Sequence, residues 1–374
     1  MSSPKNLAAW LAAKNAPLTV GDAPMPHPGA GEIIVRNRAF ALNPFDGIVQ
    51  TLGSMVTPWL AYPAILGTDV AGEVVSTGHG VTRFKPGDRV LGLARGIDKL
   101  ANRPAEGAFQ HYVLLREEVA TALPDALTFE QAAVLPLALA TASCGLFLGN
   151  QLALQPPQLN ADGRAGATVI IWGGSTSVGN CAIQLAAAAG YDVVATASPH
   201  NAGSLRALGA RLVFDRNDPH VVSTMAHALK DVEVVGALAL GVGSGRPCID
   251  LVRQCRGRRF VAMASSPISL EDAPLTKQFA WKLGRLPRVG LGFFRLAIRA
   301  RLRGVRTSSI WGTALVQTPL ARAIFVDFLE AALVSGQFVP APAPLVCGSS
   351  LHEIPEAMAR LRQGVSARKV VVSL

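Results

Sequence analysis

Cysteine is scarce in this sequence and scattered: Cys144, Cys181, Cys248, Cys255 and Cys347 show no C-x-x-C spacing. That excludes a disulfide framework and a cysteine-held structural zinc, and it fits a reducing, cytoplasmic setting. Charge is also thin, at 16% of residues against about 25% in ordinary domains. With 50% hydrophobic residues, and glycine and proline dispersed along the chain, disorder, collagen and coiled coil are excluded. The apolar runs VGLGFFRLAI and LPLALATASCGLFLG fall short of the roughly 20 residues that cross a bilayer. The opening MSSPKNLAAWLAAKNAPL lacks the basic patch and long apolar stretch of a secretory leader. A soluble protein is expected.

Positive charge is what the chain has in excess. Lys+Arg total 35 against 25 Asp+Glu, a formal net charge of +10, which favours phosphate-bearing ligands and acidic partners. Much of it is local, since Lys282, Arg285, Arg288, Arg295, Arg299, Arg301, Arg303 and Arg306 lie in one segment. No nucleic-acid reader motif accompanies them. Leu291, Phe294, Ile298 and Leu302 recur there at helical spacing, predicting an amphipathic helix over 290–304. Such a helix could steer an acidic carrier domain, lie on a membrane, contact a second copy or face solvent.

At about 150 residues per domain, 374 residues suggest two domains. Residues 1–135 read as β-rich: apolar alternation in 32–38 and 69–77 is bounded by Gly and Pro turns, and FKPGDRV at 84–90 punctuates the approach to another strand. Residues 136–318 alternate strand and helix: ATVIIW, CAIQLAAAAG, DVVATA, AGSLRALG, RLVF, VVSTMAHAL, VVGALAL, IDLVRQC, RRFVAMA. That rhythm predicts an α/β fold with a Rossmann doubly wound parallel sheet. Residues 319–374 hold a helix at 320–335, a Pro-rich stretch, a helix near 354–363 and the strand KVVVSL, and are expected to rejoin the first domain.

The strand Val169–Trp172 runs into Gly173, Gly174, Ser175, Thr176, Ser177, Val178 and Gly179 and then a helix. Glycines let the backbone approach a pyrophosphate, which the amides and positive end of the helix stabilise. An NAD enzyme usually presents an acid at the end of the second strand; here that place reads Thr196-Ala197-Ser198-Pro199-His200-Asn201. Ser198 and Asn201 can donate hydrogen bonds, His200 can add charge and Arg216 can pair with a phosphate. NADPH is the expected cofactor.

Metal is not expected. Leu42-Asn43-Pro44-Phe45-Asp46 and Leu66-Gly67-Thr68-Asp69 contain neither His nor Cys where a dehydrogenase zinc would be held. Metal-free hydride transfer disfavours alcohol oxidation and favours reduction of a C=C bond conjugated to a carbonyl. Asn43 could polarise a carbonyl or brace the Pro44 turn. Asp46 and Asp69 could act as acids or cap backbone amides. His111 reads as a strand-surface histidine, and water or Tyr112 could deliver a proton.

LNPFD, LGTDVAGEVVSTG, FKPGDRV, GAFQHYV, the helix entry at 138–142 and GGSTSVG resemble the zinc-free branch of the medium-chain dehydrogenase/reductase superfamily over essentially the whole chain. GGSTSVG with ATASPHN, VFDRND, GQFVPAPAPLV and GVSARKVVVSL looks more narrowly like the fungal trans-acting enoyl reductases of polyketide biosynthesis. The resemblance implies a GroES-like catalytic domain over 1–135, an NADPH-binding Rossmann domain over 136–318 and a return to the catalytic domain over 319–374. It implies reduction of an enoyl thioester held on the carrier domain of a polyketide synthase.

By the same resemblance, Ser175, Thr176, Ser177 and Val178 would hold the pyrophosphate, with Gly174 and Asp46 also in the cofactor set. Ser198, His200 and Asn201 would face the ribose phosphate. Met263, Ala264, Val365 and Ser366 would line the nicotinamide side, with Thr141 on its ribose or amide. Pro136, Ala140 and their neighbours to Ser143 would form a substrate channel with a loop near Gly290 and Phe294. The chain has Ile48 where relatives commonly have lysine, and Arg216 where they have Tyr. A quinone or enone reductase acting on free small molecules, and a cofactor-binding pseudo-reductase, are the competing readings.

Overall fold

The strand Glu32–Ala41 is buried along both faces except at Arg36 and Arg38, and pairing on both its edges makes it the spine of the first sheet. The computed structural model describes residues 5–157, 166–276 and 278–374; residues 1–4, part of the leader reading, lie outside it. Asp69–Thr77 pairs antiparallel with Glu32–Ala41, and Arg89–Leu93 with Asp69–Thr77. The last strand, Arg368–Ser373, joins the other side of Glu32–Ala41, with Val371 opposite Ala41 and Val372 opposite Phe40. The chain's end thus completes the sheet that its beginning starts. Phe40 and Phe109, both fully buried, pack with ring centroids 5.0 Å apart in its core.

The second sheet is parallel, in the order Ala210–Asp215, Asp192–Ala197, Ala167–Trp172, Glu233–Ala239, Phe260–Met263, Arg306–Ser309. Its first five strands are the apolar runs predicted from sequence. Val169, Ile170 and Ile171 are fully buried, each contributing about 2 kcal/mol. From the first strand the chain moves outward one way, then returns to build the other half. The order therefore reverses between Ala167–Trp172 and Glu233–Ala239, the place where open α/β sheets form a ligand crevice.

Between the sheets lies the helix Pro136–Phe147, apolar on every side and mostly buried. With the short helix before it, Phe129–Phe147 is long and apolar enough to cross a membrane, but 78% of the window is buried inside the protein. The helix expected over 290–304 is longer, running from Gln278 to Leu302. Gly284 and Pro287 lower helix propensity in its first half, which hid that half from the sequence. The start is pinned instead by tertiary contact: the Gln278 Nε2 donates to Thr51 O at 2.8 Å and Asn15 Oδ1 at 3.1 Å. The channel loop expected near Gly290 and Phe294 is therefore helix, and Phe294 is 62% exposed on its outer side.

Gly67 fixes the entry to Thr68 and Asp69. Its φ is +88°, and a Cβ there would lie 2.4 Å from the Phe109 ring. Gly67→Ala combines left-handed strain with overpacking and is expected to lower stability by about 2–4 kcal/mol, read as a lower urea midpoint with an unchanged slope.

Candidate active site

The carboxyl ends of the parallel strands face residues 42–43 and the start of the helix Pro44–Leu52 across a cleft of about 720 Å3. One wall is built from residues 175–178, Ser198, Arg216, 240–242 and 264–266. The opposite wall comes from residues 42–45, Ile48 and the 364–369 segment, with Leu137, Ala138 and Thr141 between them.

On the first wall the glycine turn is braced from inside. Gly173 N–H donates to Thr196 Oγ1 at 3.0 Å and Gly174 N–H to Thr196 O at 2.9 Å. The Thr176 hydroxyl caps the following helix, accepting from Gly179 N–H at 3.0 Å, and Asn180 Nδ2 donates to Gly174 O at 2.7 Å. Ser177 and Val178 begin the helix Ser177–Ala188, where backbone amides have no intrahelical acceptor and the helix dipole is positive. They line the cleft beside Ser175 and Thr176. Gly174 does not line it; a Cβ there would lie 2.8 Å from Leu205 and 3.1 Å from Ala195, so its lack of a side chain lets the turn sit on the sheet. At Gly179 a Cβ would lie 2.4 Å from Gly173 O. The tight turn and open helix start fit a dinucleotide's pyrophosphate.

Ser198 past the second strand and Arg216 past the third reach the cleft, and the end of the second strand brings no acid to it. His200 and Asn201, expected to face a ribose phosphate, do not line it. His200 Nε2 lies 3.3 Å from Ser366 Oγ, and Asn201 Nδ2 donates to the same oxygen at 3.5 Å. They connect the parallel sheet to the tail segment that carries Val365 and Ser366, both in the cleft wall.

The opposite wall rests on a buried polar cluster. Asp69, fully buried, receives Lys369 Nζ at 2.8 Å, Asn43 Nδ2 at 2.7 Å and Leu137 N–H at 2.7 Å. Lys369 also donates to Val134 O at 3.1 Å, and Asn43 Nδ2 to Thr68 Oγ1 at 3.2 Å. Both amide protons of Asn43 thus have acceptors, so the side chain braces the start of the helix Pro44–Leu52 and has no donor left for a ligand. Asp46 accepts from Asn43 N–H at 2.8 Å and is 1% exposed. It does not line the cleft. Burial above all, with the Asp69 charge adding to it, raises its carboxyl to about 7.

Three more expected residues stand back from the cleft. Pro136 and Ala140 are buried, and their helix presents Leu137, Ala138 and Thr141 instead. Met263 packs toward Gly245, while the next residue, Ala264, reaches the wall. The Thr141 hydroxyl has no hydrogen-bond partner among the described residues and is open to a ligand. His111 precedes the strand Tyr112–Arg116, half-buried, with burial lowering its imidazole. Neither it nor Tyr112 reaches the cleft. The described residues gather no group of three His, Cys, Asp or Glu able to hold a metal ion.

Sequence reading missed Glu271. It lines the cleft beside Ser269 and Leu270, and burial first, then the charge of Asp272, raises its carboxyl above the ordinary range. Its loop, SSPISLEDAPL, has no periodicity to mark it. Leu240, Gly241 and Val242 were also missed, although the rule that ligands bind at carboxyl ends of parallel strands points to them.

Residues 29–125 match the family model of the alcohol dehydrogenase GroES-like domain. The chain is 45% identical to dehydrogenase pigH of Monascus ruber over 99% of its own length and 100% of the relative's. It is 35% identical to the trans-enoyl reductase himH of Aspergillus japonicus, over 100% and 99%. Among solved structures, an alcohol dehydrogenase superfamily protein from Novosphingobium aromaticivorans superimposes with a TM-score of 0.71 at 25% identity, over 99% of both chains.

Two measurements check the buried cluster. Lys369→Met leaves Asp69 a buried carboxylate without its cation and is expected to lower stability by about 3–5 kcal/mol, with Asp69→Asn restoring part of the loss in the double variant. For Asp46, a folded value of about 7 stands above the ordinary 3.8. The folded state therefore binds the extra proton between those values, and stability should fall as pH rises through that window and level off above it. Asp46→Asn keeps an oxygen for Asn43 N–H and should flatten that slope in urea titrations at successive pH values.

Proposed function

Because the chain belongs to the medium-chain dehydrogenase/reductase superfamily, as an oxidoreductase close to the fungal enoyl reductases, we propose that it binds NADPH and reduces an α,β-unsaturated thioester. The substrate we propose is a polyketide chain tethered to the carrier domain of a synthase, and the setting cytoplasmic. The observation that carries the reading is the wall pairing an open helix start with Ser198 and Arg216, free of acid from the second strand's end. A carboxylate there would accept from ribose hydroxyls and repel a 2′-phosphate; a hydroxyl and a guanidinium favour the phosphate.

When bound, the reduced nicotinamide supplies a hydride to the substrate's β-carbon. The amides of Ser177 and Val178 and the hydroxyl of Ser175 hold the pyrophosphate, while the Thr176 hydroxyl, committed to Gly173 O and Gly179 N–H, shapes the turn. Thr141 orients the carboxamide or ribose. Leu137, Leu240, Val242 and Ile48 exclude water from the reacting carbons, where an enolate must be short-lived. Glu271 keeps its proton to higher pH than an ordinary glutamate and serves as the donor to the α-carbon. The Ile48 side chain makes this wall apolar, suiting an alkyl chain.

NADPH oxidation with a carrier-bound enoyl thioester, a small enoyl thioester, free enones and quinones tests the reading. Turnover of the thioesters is expected, fastest on the carrier. Turnover confined to quinones would replace it with a free-substrate reductase, and tight NADPH binding without any turnover would make it a pseudo-reductase. Arg216→Ala should weaken NADPH binding about tenfold, roughly 1.4 kcal/mol, and leave NADH binding unchanged in fluorescence titration. Glu271→Gln should lower kcat about 100-fold and remove the alkaline limb of its pH profile.

A further inference from the structure

The helix Gln278–Leu302 has two unlike faces. Gln278, Val289 and Ala300 are buried against the body, and Leu296 covers Gly245. Away from that side, Phe279, Leu283, Leu291, Phe294, Ile298 and Leu302 follow at steps of three, four or eight residues, with Pro287 in the long gap. All are exposed, Phe279 by 81% and Leu302 by 78%. At 1.5 Å per residue the row extends about 35 Å.

Its flanks are cationic. No acidic residue occurs from 278 to 304, and Lys282, Arg288, Arg295 and Arg301 have no carboxylate partner among the described residues. Towards the end of the helix, Arg253 from the neighbouring helix joins Arg295, Arg299 and Arg303 around a groove of about 540 Å3 whose remaining walls are Ile298 and Leu302. Asp250 binds Arg299 at 2.6 Å and Arg303 at 3.1 Å. One carboxylate against four guanidiniums leaves the groove strongly positive.

A long apolar row flanked by unpaired cations matches a surface with acyl chains below and anionic headgroups above. A second copy would bring like charges together on chains already at +10. A small acidic protein would answer the arginines while leaving much of so long a row in water. We propose that this helix is an interfacial anchor for an anionic phospholipid surface, with the apolar row at the acyl boundary and lipid phosphates in the arginine groove. The proposal stands independently of the redox reading. Arg285 ties the helix to the cleft wall, through Ser269 O at 3.2 Å and Asp272 at 2.8 Å, so an anchored protein would hold its cleft near the lipid.

Flotation of the full chain with vesicles tests this. Binding to phosphatidylcholine vesicles containing phosphatidylserine is expected at low salt, at least tenfold above binding to phosphatidylcholine alone, and falling as salt rises. Phe294→Ser, Ile298→Ser and Leu302→Ser together, and separately Arg253→Gln with Arg295→Gln, should each lower binding at least tenfold while the urea midpoint stays unchanged. No binding at low salt, or full binding by the arginine variant, overturns the proposal. So does a concentration-dependent dimer that the triple serine variant abolishes, which would assign the face to a second copy. Loss of turnover on a carrier-bound substrate in a chain that does not bind vesicles would assign it to a protein partner.

Discussion

Everything on the catalytic side of the cleft depends on one buried carboxylate. Asp69 gathers the Lys369 ammonium, the Asn43 amide and the Leu137 backbone N–H. Four stretches of chain, from residues 43, 69, 134–137 and 369, meet there. A buried charge is tolerated only when it and its lone pairs are matched, so the last strand must return to this sheet to bring Lys369 against Asp69. The same contacts set the entry of the helix that carries Thr141 and the start of the helix Pro44–Leu52, which carries Ile48. Lys369 and Asn43 are positioning residues: they fix a wall through hydrogen bonds that face inward.

The fold was legible because its signals are local and repeated. Each βα unit pairs a short apolar run with an amphipathic stretch, and the strand Ala167–Trp172 followed by glycines specifies both a sheet position and a helix start. Ser175, Thr176, Ser177, Val178, Ser198, Arg216, Ala264, Val365 and Ser366 do come together around the cleft. Most sit at strand ends or in turns, where chain direction decides exposure. The segment 69–77 was legible as a strand from its apolar residues bounded by turns, although Asp69 to Gly72 are buried on both faces.

What was not legible depends on contacts distant in sequence. Helical periodicity does not tell which side of Pro136–Phe147 meets the cleft when every side is apolar, so Pro136 and Ala140 were chosen where Leu137, Ala138 and Thr141 face it. His200 and Asn201 were read as ligand donors because nothing near them in sequence reveals Ser366, more than 160 residues away. Asp46 turned inward to cap Asn43. Glu271 lies in an aperiodic loop whose place is fixed by Arg285, and a single sequence carries no sign of that pairing.

Net charge hides a similar division. In the β-rich half, arginines are matched across strands and loops: Arg36 and Arg38 with Glu73, Arg103 with Glu32 and Glu106, and Arg95 with Glu106. Those pairs leave little field beyond a Debye length. Along 278–304 there is no acid to match, and among the described residues only Asp250 and Asp272 reach in from outside. The excess counted from sequence is therefore concentrated on one helix, while the cleft is lined by Arg216 and Arg368 and by backbone dipoles that no charge count includes. A helix terminus acts over about one turn, so the two positive regions differ in reach: the one in the cleft acts at contact distance, the other presents a broad cationic face to solution.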